Sequence, residues 1–203
     1  TFGSFGNRSD VLVHNEPSSL AVADLDADGF LDLIVGQNTG VRVFVYYGSA
    51  DGSFGRSENY QISTDSQTAT EGFAVHDFNG DGRLDFAASE HRYGEIVRIL
   101  YGQPEGGFIV GPAITVGPDS AQPVYFARAD FDGDRIDDLA VTLVQANGVR
   151  ILKGAANGSF SPIGSVVPVG SGPYGIASVD FDGDGNADLF TANYWGNTLS
   201  VLY

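Results

Sequence analysis

The chain has 203 residues, enough for one domain or two small ones. Ten Lys and Arg stand against 26 Asp and Glu, a formal charge of −16 that disfavours a nucleic-acid backbone or an anionic lipid surface as partner. Only 18% of residues are charged and 42% are hydrophobic, a globular composition that excludes a disordered acidic tail. The absence of Cys rules out disulfides, thiolate metal sites and a cysteine nucleophile. No apolar run approaches the ~18 residues a membrane span needs. Gly supplies 28 residues, which points to many tight turns. A start at Thr1, without Met or a leader, reads as a processed form or as part of something longer.

In chain order, Gly3-Ser4-Phe5 comes first, and a short strand is expected near Val11-Leu12-Val13. A strand over Leu20–Ala23 then runs into Asp24-Leu-Asp26-Ala-Asp28-Gly29-Phe30-Leu-Asp32. Strands Leu33–Val35 and Val41–Val45 follow, joined by a turn holding Gln37 and Asn38, and Gly52-Ser-Phe54 opens a fourth strand. The sequence then repeats itself. Phe73–His76 precedes Asp77-Phe-Asn79-Gly-Asp81-Gly82-Arg83-Leu-Asp85. The loop Glu90-His91-Arg92-Tyr93, the strand Val97–Leu100 and Gly106-Gly-Phe108 come after it. In the third copy Tyr125–Arg128 precedes Asp130-Phe-Asp132-Gly-Asp134-Arg135-Ile136-Asp-Asp138. Gln145-Ala-Asn147, Val149–Leu152 and Gly158-Ser-Phe160 follow. In the fourth, Gly175–Ser178 precedes Asp180-Phe-Asp182-Gly-Asp184-Gly185-Asn186-Ala-Asp188. Asn193-Tyr194-Trp195-Gly-Asn197 and Leu199–Leu202 complete it.

The loops start 53, 53 and 50 residues apart. The runs between them are short, β-branched and bounded by turn residues, and none sustains a helical period. Four short strands per unit at a period of about 50 residues is a propeller signature. The units resemble FG-GAP repeats, as in integrin α-subunit propellers, and the related VCBS repeats. The loop pattern, the Gly-x-Phe element and the stretch Ala192–Val201 carry that resemblance across the whole chain. It implies an all-β fold: one β-propeller domain over residues 1–203, with four blades of four-stranded antiparallel sheets. Tyr203 aligns with Tyr47, Tyr101 and Lys153, and Phe5 with Phe54, Phe108 and Phe160. On that alignment the N-terminal strand completes the last blade beside Leu199–Leu202 and removes a sheet edge. A larger propeller, or a subunit whose first strand completes a neighbour's blade, are the alternatives.

The loops 24–32, 77–85, 130–138 and 180–188 carry oxygen donors at positions 1, 3, 5 and 9. Position 7 adds a backbone carbonyl, from Phe30, Arg83, Ile136 and Asn186. A hard cation such as Ca²⁺ takes six to eight oxygens, so about four Ca²⁺ ions are expected. Position 12 is never the bidentate Glu of an EF-hand, and three His with no soft neighbour argue against zinc. Asn79 removes one charge from the second loop and Arg135 replaces the turn Gly of the third, so those two should bind more weakly. The ion's role is read as structural.

Function is read from the opposite face. Gln37, Asn38, His91, Arg92, Tyr93, Asn147, Asn193, Tyr194, Trp195 and Asn197 are the ligand candidates there. Amides and aromatic faces suit sugars, so the first expectation is a secreted recognition module for glycans or a protein ligand. A polysaccharide lyase could use His91, Arg92 and Tyr93, but one short loop does not make three groups converge, and no catalytic residue is assigned. A structural repeat of a larger assembly, self-associating through terminal strands, is the third expectation. An extracellular location follows from loops of a type tuned to millimolar calcium. Finally, positions 1, 3, 5 and 9 of the four loops hold fifteen of the 26 acidic residues, and the remaining eleven nearly balance the ten basic ones. The acidity is therefore local to the loops, and the charge argument against nucleic acid weakens wherever those loops hold cations.

Overall fold

The computed structural model describes residues 10–14, 16–91 and 94–203. Gly3-Ser4-Phe5, the sequon Asn7-Arg8-Ser9, Asn15, Arg92 and Tyr93 lie outside the described residues. Among the described residues the protein is all-β, in sixteen strands. Sheet 1 contains β1 (Pro17–Ala23), β2 (Asp32–Gln37), β3 (Arg42–Tyr47) and β4 (Arg56–Gln61). Sheet 2 contains β5 (Phe73–His76), β6 (Asp85–Glu90), β7 (Ile96–Gly102) and β8 (Phe108–Val110), with β9 (Ile114–Thr115) also on β7. Sheet 3 contains β10 (Pro123–Ala129), β11 (Asp138–Leu143), β12 (Gly148–Gly154) and β13 (Phe160–Pro168). Sheet 4 contains β14 (Pro173–Val179), β15 (Asp188–Asn193) and β16 (Thr198–Leu202). Strand neighbours are antiparallel throughout and sequential except for β9, which pairs with β7.

The β8/β9 break has a local cause. Ile109 and Val110 pair with β7, then Gly111-Pro112 interrupts, and Ile114 and Thr115 resume pairing at Val97 and Ile96. Proline has no N–H for a ladder, so the outer strand is split rather than lost. In sheet 3 the outer strand is continuous, with a register shift between Val149 and Ile151.

Alternation along the strands gives each sheet two apolar faces, and successive sheets bury them against each other. Ile34, Val43 and Val45 of sheet 1 meet Phe86, Ala88 and Leu100 of sheet 2. Ala87, Val97 and Ile99, on the other side of sheet 2, meet Leu139, Val141 and Leu152 of sheet 3. Ala140 and Val149 of sheet 3 meet Leu189 of sheet 4, with Ile176 and Leu202 packed beside them. The first strands follow the same order, β1 against β5, β5 against β10 and β10 against β14. Close approach is built in. A Cβ on Gly72 would lie 1.8 Å from the Val124 carbonyl oxygen, so sheets 2 and 3 need Gly there.

The last sheet departs from the sequence reading. It has three strands, and Val11–Val13 form no strand among the described residues. Val13 packs instead beside Val35, Phe44 and Tyr46 of sheet 1. His14 stacks on Phe44 with ring centroids 4.4 Å apart, and its N–H donates to the Tyr46 hydroxyl at 3.0 Å. A hydrophobic staple onto the nearest free face displaces the edge pairing that register alone favoured.

Candidate metal centres

Each loop joins the first strand of a sheet to the second, and the same backbone device shapes all four. The position-1 carboxylate caps the turn from inside. Asp24 accepts the N–H groups of Asp28 and Gly29, and Asp77 those of Asp81 and Gly82. Asp130 accepts from Gly133, Asp134 and Arg135, and Asp180 from Gly183 and Gly185. The position-5 side chain accepts the position-7 N–H in every copy, at 2.8–2.9 Å. These are Asx turns, for which Asp and Asn are suited. The chain turns through left-handed backbone at both position 4 and position 6. Gly80, Gly133 and Gly183 fill position 4, but Ala27 stands there in the first loop at φ +58°. Gly29, Gly82 and Gly185 fill position 6, where Arg135 of the third loop sits at φ +69°.

The position-9 carboxylates are different in kind. Asp32, Asp85, Asp138 and Asp188 are buried. One oxygen of each accepts the N–H of loop position 2, from Leu25, Phe78, Phe131 and Phe181, at 2.7–3.0 Å. In the first three copies the other oxygen accepts from Gly48, Gly102 and Gly154, at the end of the third strand, each at 2.8 Å. A Cβ on those glycines would lie 2.3, 2.5 and 2.2 Å from the carbonyl oxygen of loop position 8. Sequence reading missed this group. Its signal is a Gly 16 or 17 residues after the position-9 Asp in three copies. Burial raises the carboxyl pKa of Asp85 and Asp138, and the two N–H bonds oppose it.

Three loops bring acidic triads together. One carboxylate oxygen from each of Asp24, Asp26 and Asp32 lies within 4.8 Å of the others. The same holds for Asp130, Asp132 and Asp138, and for Asp180, Asp182 and Asp188. The position-5 carboxylates Asp28, Asp81, Asp134 and Asp184 are not in these triads. Asn79 leaves the second loop without a third carboxylate at that point. The first loop has the clearest need of a cation. Asp26 Oδ1 is buried with no hydrogen-bond partner, and burial, then Asp32 and Asp28, push its pKa up. An unpaired buried carboxylate oxygen is costly, and an all-oxygen anionic donor set fits a hard cation. The residues present therefore fit a metal ion of the calcium type.

The ligand candidates do not form one site. Asn193 is 2% exposed: it accepts from Thr191 Oγ1 and donates to Thr198 and Ser200. Asn147 sits at φ +50° and accepts the Gly172 N–H. Gln37 is buried, and the Asn38 N–H donates to the Glu16 carbonyl. His91 is buried, with Nδ1 3.3 Å from Glu71 Oε1, close enough to pair when the imidazole is protonated. His76 and His14 gain partners the sequence does not display, Asp137 at 3.0 Å and Tyr46. Tyr194 and Trp195 are exposed, and Tyr194 meets Tyr174 edge to face. Tyr194 lines a shallow cleft of about 440 Å³ together with Tyr174, Asn197 and Leu199, and Trp195 lies against Gly172.

The model of the FG-GAP-like repeat matches three times, at residues 24–88, 77–141 and 130–191. The chain belongs to the FG-GAP-like repeat family. The matches overlap because each spans from one Asp loop through the next, so the family's unit is the loop–sheet–loop period described above. No curated protein matches. Among solved structures, one match is the crystal structure of selenomethionine-substituted virginiamycin B lyase from Staphylococcus aureus. The TM-score is 0.50 at 14% identity, over 93% of this chain and 70% of that one. At that identity the likeness concerns the fold of the FG-GAP-like chain alone.

Proposed function

We propose that this FG-GAP-like chain is a calcium-stabilised extracellular β-propeller unit whose work is recognition, not catalysis. The observation that carries the calcium reading is the first loop, where three carboxylates converge and Asp26 Oδ1 has no partner. Asp24, Asp26, Asp28, Asp32 and the Phe30 carbonyl would hold the ion in the first loop, with their counterparts in the others. Bound calcium would supply the positive charge that offsets carboxylate repulsion and would pin the turn between a sheet's first two strands. The chain's own part is to pre-shape that turn through the Asx and position-1 bonds. Calorimetric titration with calcium tests this. Binding with release of heat, and a melting temperature that falls in chelator, are expected; a melting temperature indifferent to chelator refutes the reading.

Recognition is assigned to the cleft on sheet 4, because Tyr194 and Asn197 line it and are exposed, with the exposed Trp195 beside Tyr194 in the chain. Its chemistry suits a sugar ring stacked on an aromatic face with an amide at its hydroxyls. Glycan-array binding lost in Trp195→Ala and Tyr194→Ala supports it. Binding that survives both substitutions removes the cleft from the proposal.

A specific observation favours a second reading, a repeat unit within a larger assembly. The outer face of sheet 4 exposes Val179, Phe181, Leu199 and Val201, and that of sheet 1 exposes Leu20 and Val22. The corresponding positions of sheets 1–3 and 2–4 are those that pack between sheets.

A further inference from the structure

We infer that the third loop carries its own cation, Lys153, and does not take calcium. This rests on the calcium reading for the other loops. Lys153 ends the third strand of sheet 3, at the position filled by Tyr47, Tyr101 and Tyr203 in the other copies. Those tyrosines do not serve their loops. The Tyr101 hydroxyl donates to the Gly158 carbonyl at 3.0 Å, Tyr47 lies under the Arg56 guanidinium at 4.0 Å, and Tyr203 is exposed. Lys153 instead reaches across to the loop. Its Nζ donates to Asp132 Oδ2 and, at 2.7 Å, to Asp134 Oδ2.

The result is a closed account of oxygens. Asp130 accepts three backbone N–H bonds, two on Oδ1 and one on Oδ2. Asp132 Oδ1 takes the Asp134 N–H, Asp134 Oδ1 takes the Ile136 N–H, and their second oxygens take the ammonium. Asp138 is bonded on both oxygens. Both oxygens of Asp130, Asp132, Asp134 and Asp138 thus have partners, and Lys153 bridges positions 3 and 5, whereas in the second loop Arg83 reaches only Asp81 and in the first Arg56 stands 3.7 Å from Asp26 Oδ2 and leaves Asp26 Oδ1 buried and alone. A calcium ion entering the third loop must displace a cation that the fold holds beside two of its four carboxylates, and like charges at that distance repel. Arg135, at φ +69°, adds a second positive side chain to the same loop. Lys153 is thus a specificity residue: it makes the third turn independent of calcium.

Three whole-chain variants test this. Lys153→Tyr installs the residue of the other copies, Lys153→Met removes the charge at similar length, and Lys153→Arg keeps it. In calcium calorimetry, Lys153→Tyr and Lys153→Met should each bind one ion more than the wild type, and Lys153→Arg the wild-type number. Asp132→Asn in the wild-type background should leave the number unchanged. An ion lost in Asp132→Asn, or none gained in both neutral variants, overturns the inference. In chelator, both neutral variants should melt below the wild type, because the loop loses its resident cation, and Lys153→Arg should not. Equal melting of all four proteins in chelator also overturns it. If the wild type takes no calcium at any loop, the calcium reading fails on its own, and Lys153 is then judged by the chelator melts alone.

Discussion

At the scale of single residues, glycines with similar turns have unlike roles. Gly29 is at φ +91° with nothing within 4 Å of a would-be Cβ, so Gly29→Ala meets only backbone strain. That strain is about 1–2 kcal/mol. Gly102 would place its Cβ 2.5 Å from the Leu84 carbonyl, and its N–H serves the buried Asp85. Gly102→Ala must move backbone and should cost about 3 kcal/mol, the upper range for overpacking. Urea denaturation in chelator should rank the two in that order. A charged residue away from the loops gives a pH dependence. Glu90 is buried, burial raises its pKa, and Ser63 and Arg98 only partly oppose this. The folded state therefore keeps the Glu90 proton to higher pH than the unfolded chain does. This group's contribution is most favourable below the unfolded pKa and is lost as pH rises through the folded one. Glu90→Gln removes that loss. Stability measured at pH 4 and pH 7 should fall less between them in Glu90→Gln than in the wild type, and an equal fall would show Arg98 compensates the charge fully.

At the scale of the element, a loop and its sheet are held by two kinds of carboxylate that sequence spacing makes look alike. Position 9 ties the loop to the end of the third strand through buried N–H bonds, whereas position 3 faces the point where an ion would sit. Asp85→Ala orphans the N–H groups of Phe78 and Gly102 and should cost about 2–6 kcal/mol already in chelator, at 1–3 kcal/mol per buried unpaired group. Asp26→Asn should cost little in chelator but forfeit most of the calcium stabilisation of its loop, about 2.7 kcal/mol per site at 100 times the dissociation constant. Paired melts with and without calcium separate the two roles, and equal calcium dependence in both variants would dissolve the distinction. The loops were legible from sequence because their chemistry is local, four donors and a turn within nine residues. The partners of position 9 were not, because Gly48, Gly102 and Gly154 arrive from the far end of the next strand. The ligand face was least legible. Polar residues such as Asn147, Asn193 and Gln37 look like sugar contacts in sequence, yet the turns consume two of their amides and Gln37 is buried. An amide bonded within the fold and one offered to a ligand read identically in a string of letters.

At the scale of the molecule, each sheet presents one apolar face to the sheet before it and one to the sheet after. The pattern along β3, β7, β12 and β16 makes this explicit. Val43 and Val45 are buried against sheet 2, Val97 and Ile99 against sheet 3, and Val149 against sheet 4. Leu199 and Val201 occupy the same positions in β16 and are 75% and 37% exposed. Loop position 2 follows suit: Leu25 and Phe78 are buried, while Phe181 is 63% exposed and touches only Phe190 among rings. Contiguous apolar surface of this kind marks an interaction site. On the repeat-unit reading, the sheet 4 face would meet the sheet 1 face of another copy, where Leu20 and Val22 are exposed. Val13 and His14 cover Val35, Phe44 and Tyr46 of that sheet 1 face, so a head-to-tail contact, which adds copies rather than pairing them, would seat on its Leu20 and Val22 part. Sedimentation of the wild type should therefore show mass rising with concentration, with no plateau at a dimer. Phe181→Ser combined with Leu199→Ser should sediment as a monomer while keeping the calcium-dependent melting of its loops. Both positions are exposed, so their loss leaves the inter-sheet cores intact and separates association from folding. A wild type that stays monomeric at every concentration, or a double variant that associates as before, would place the contact elsewhere on the surface.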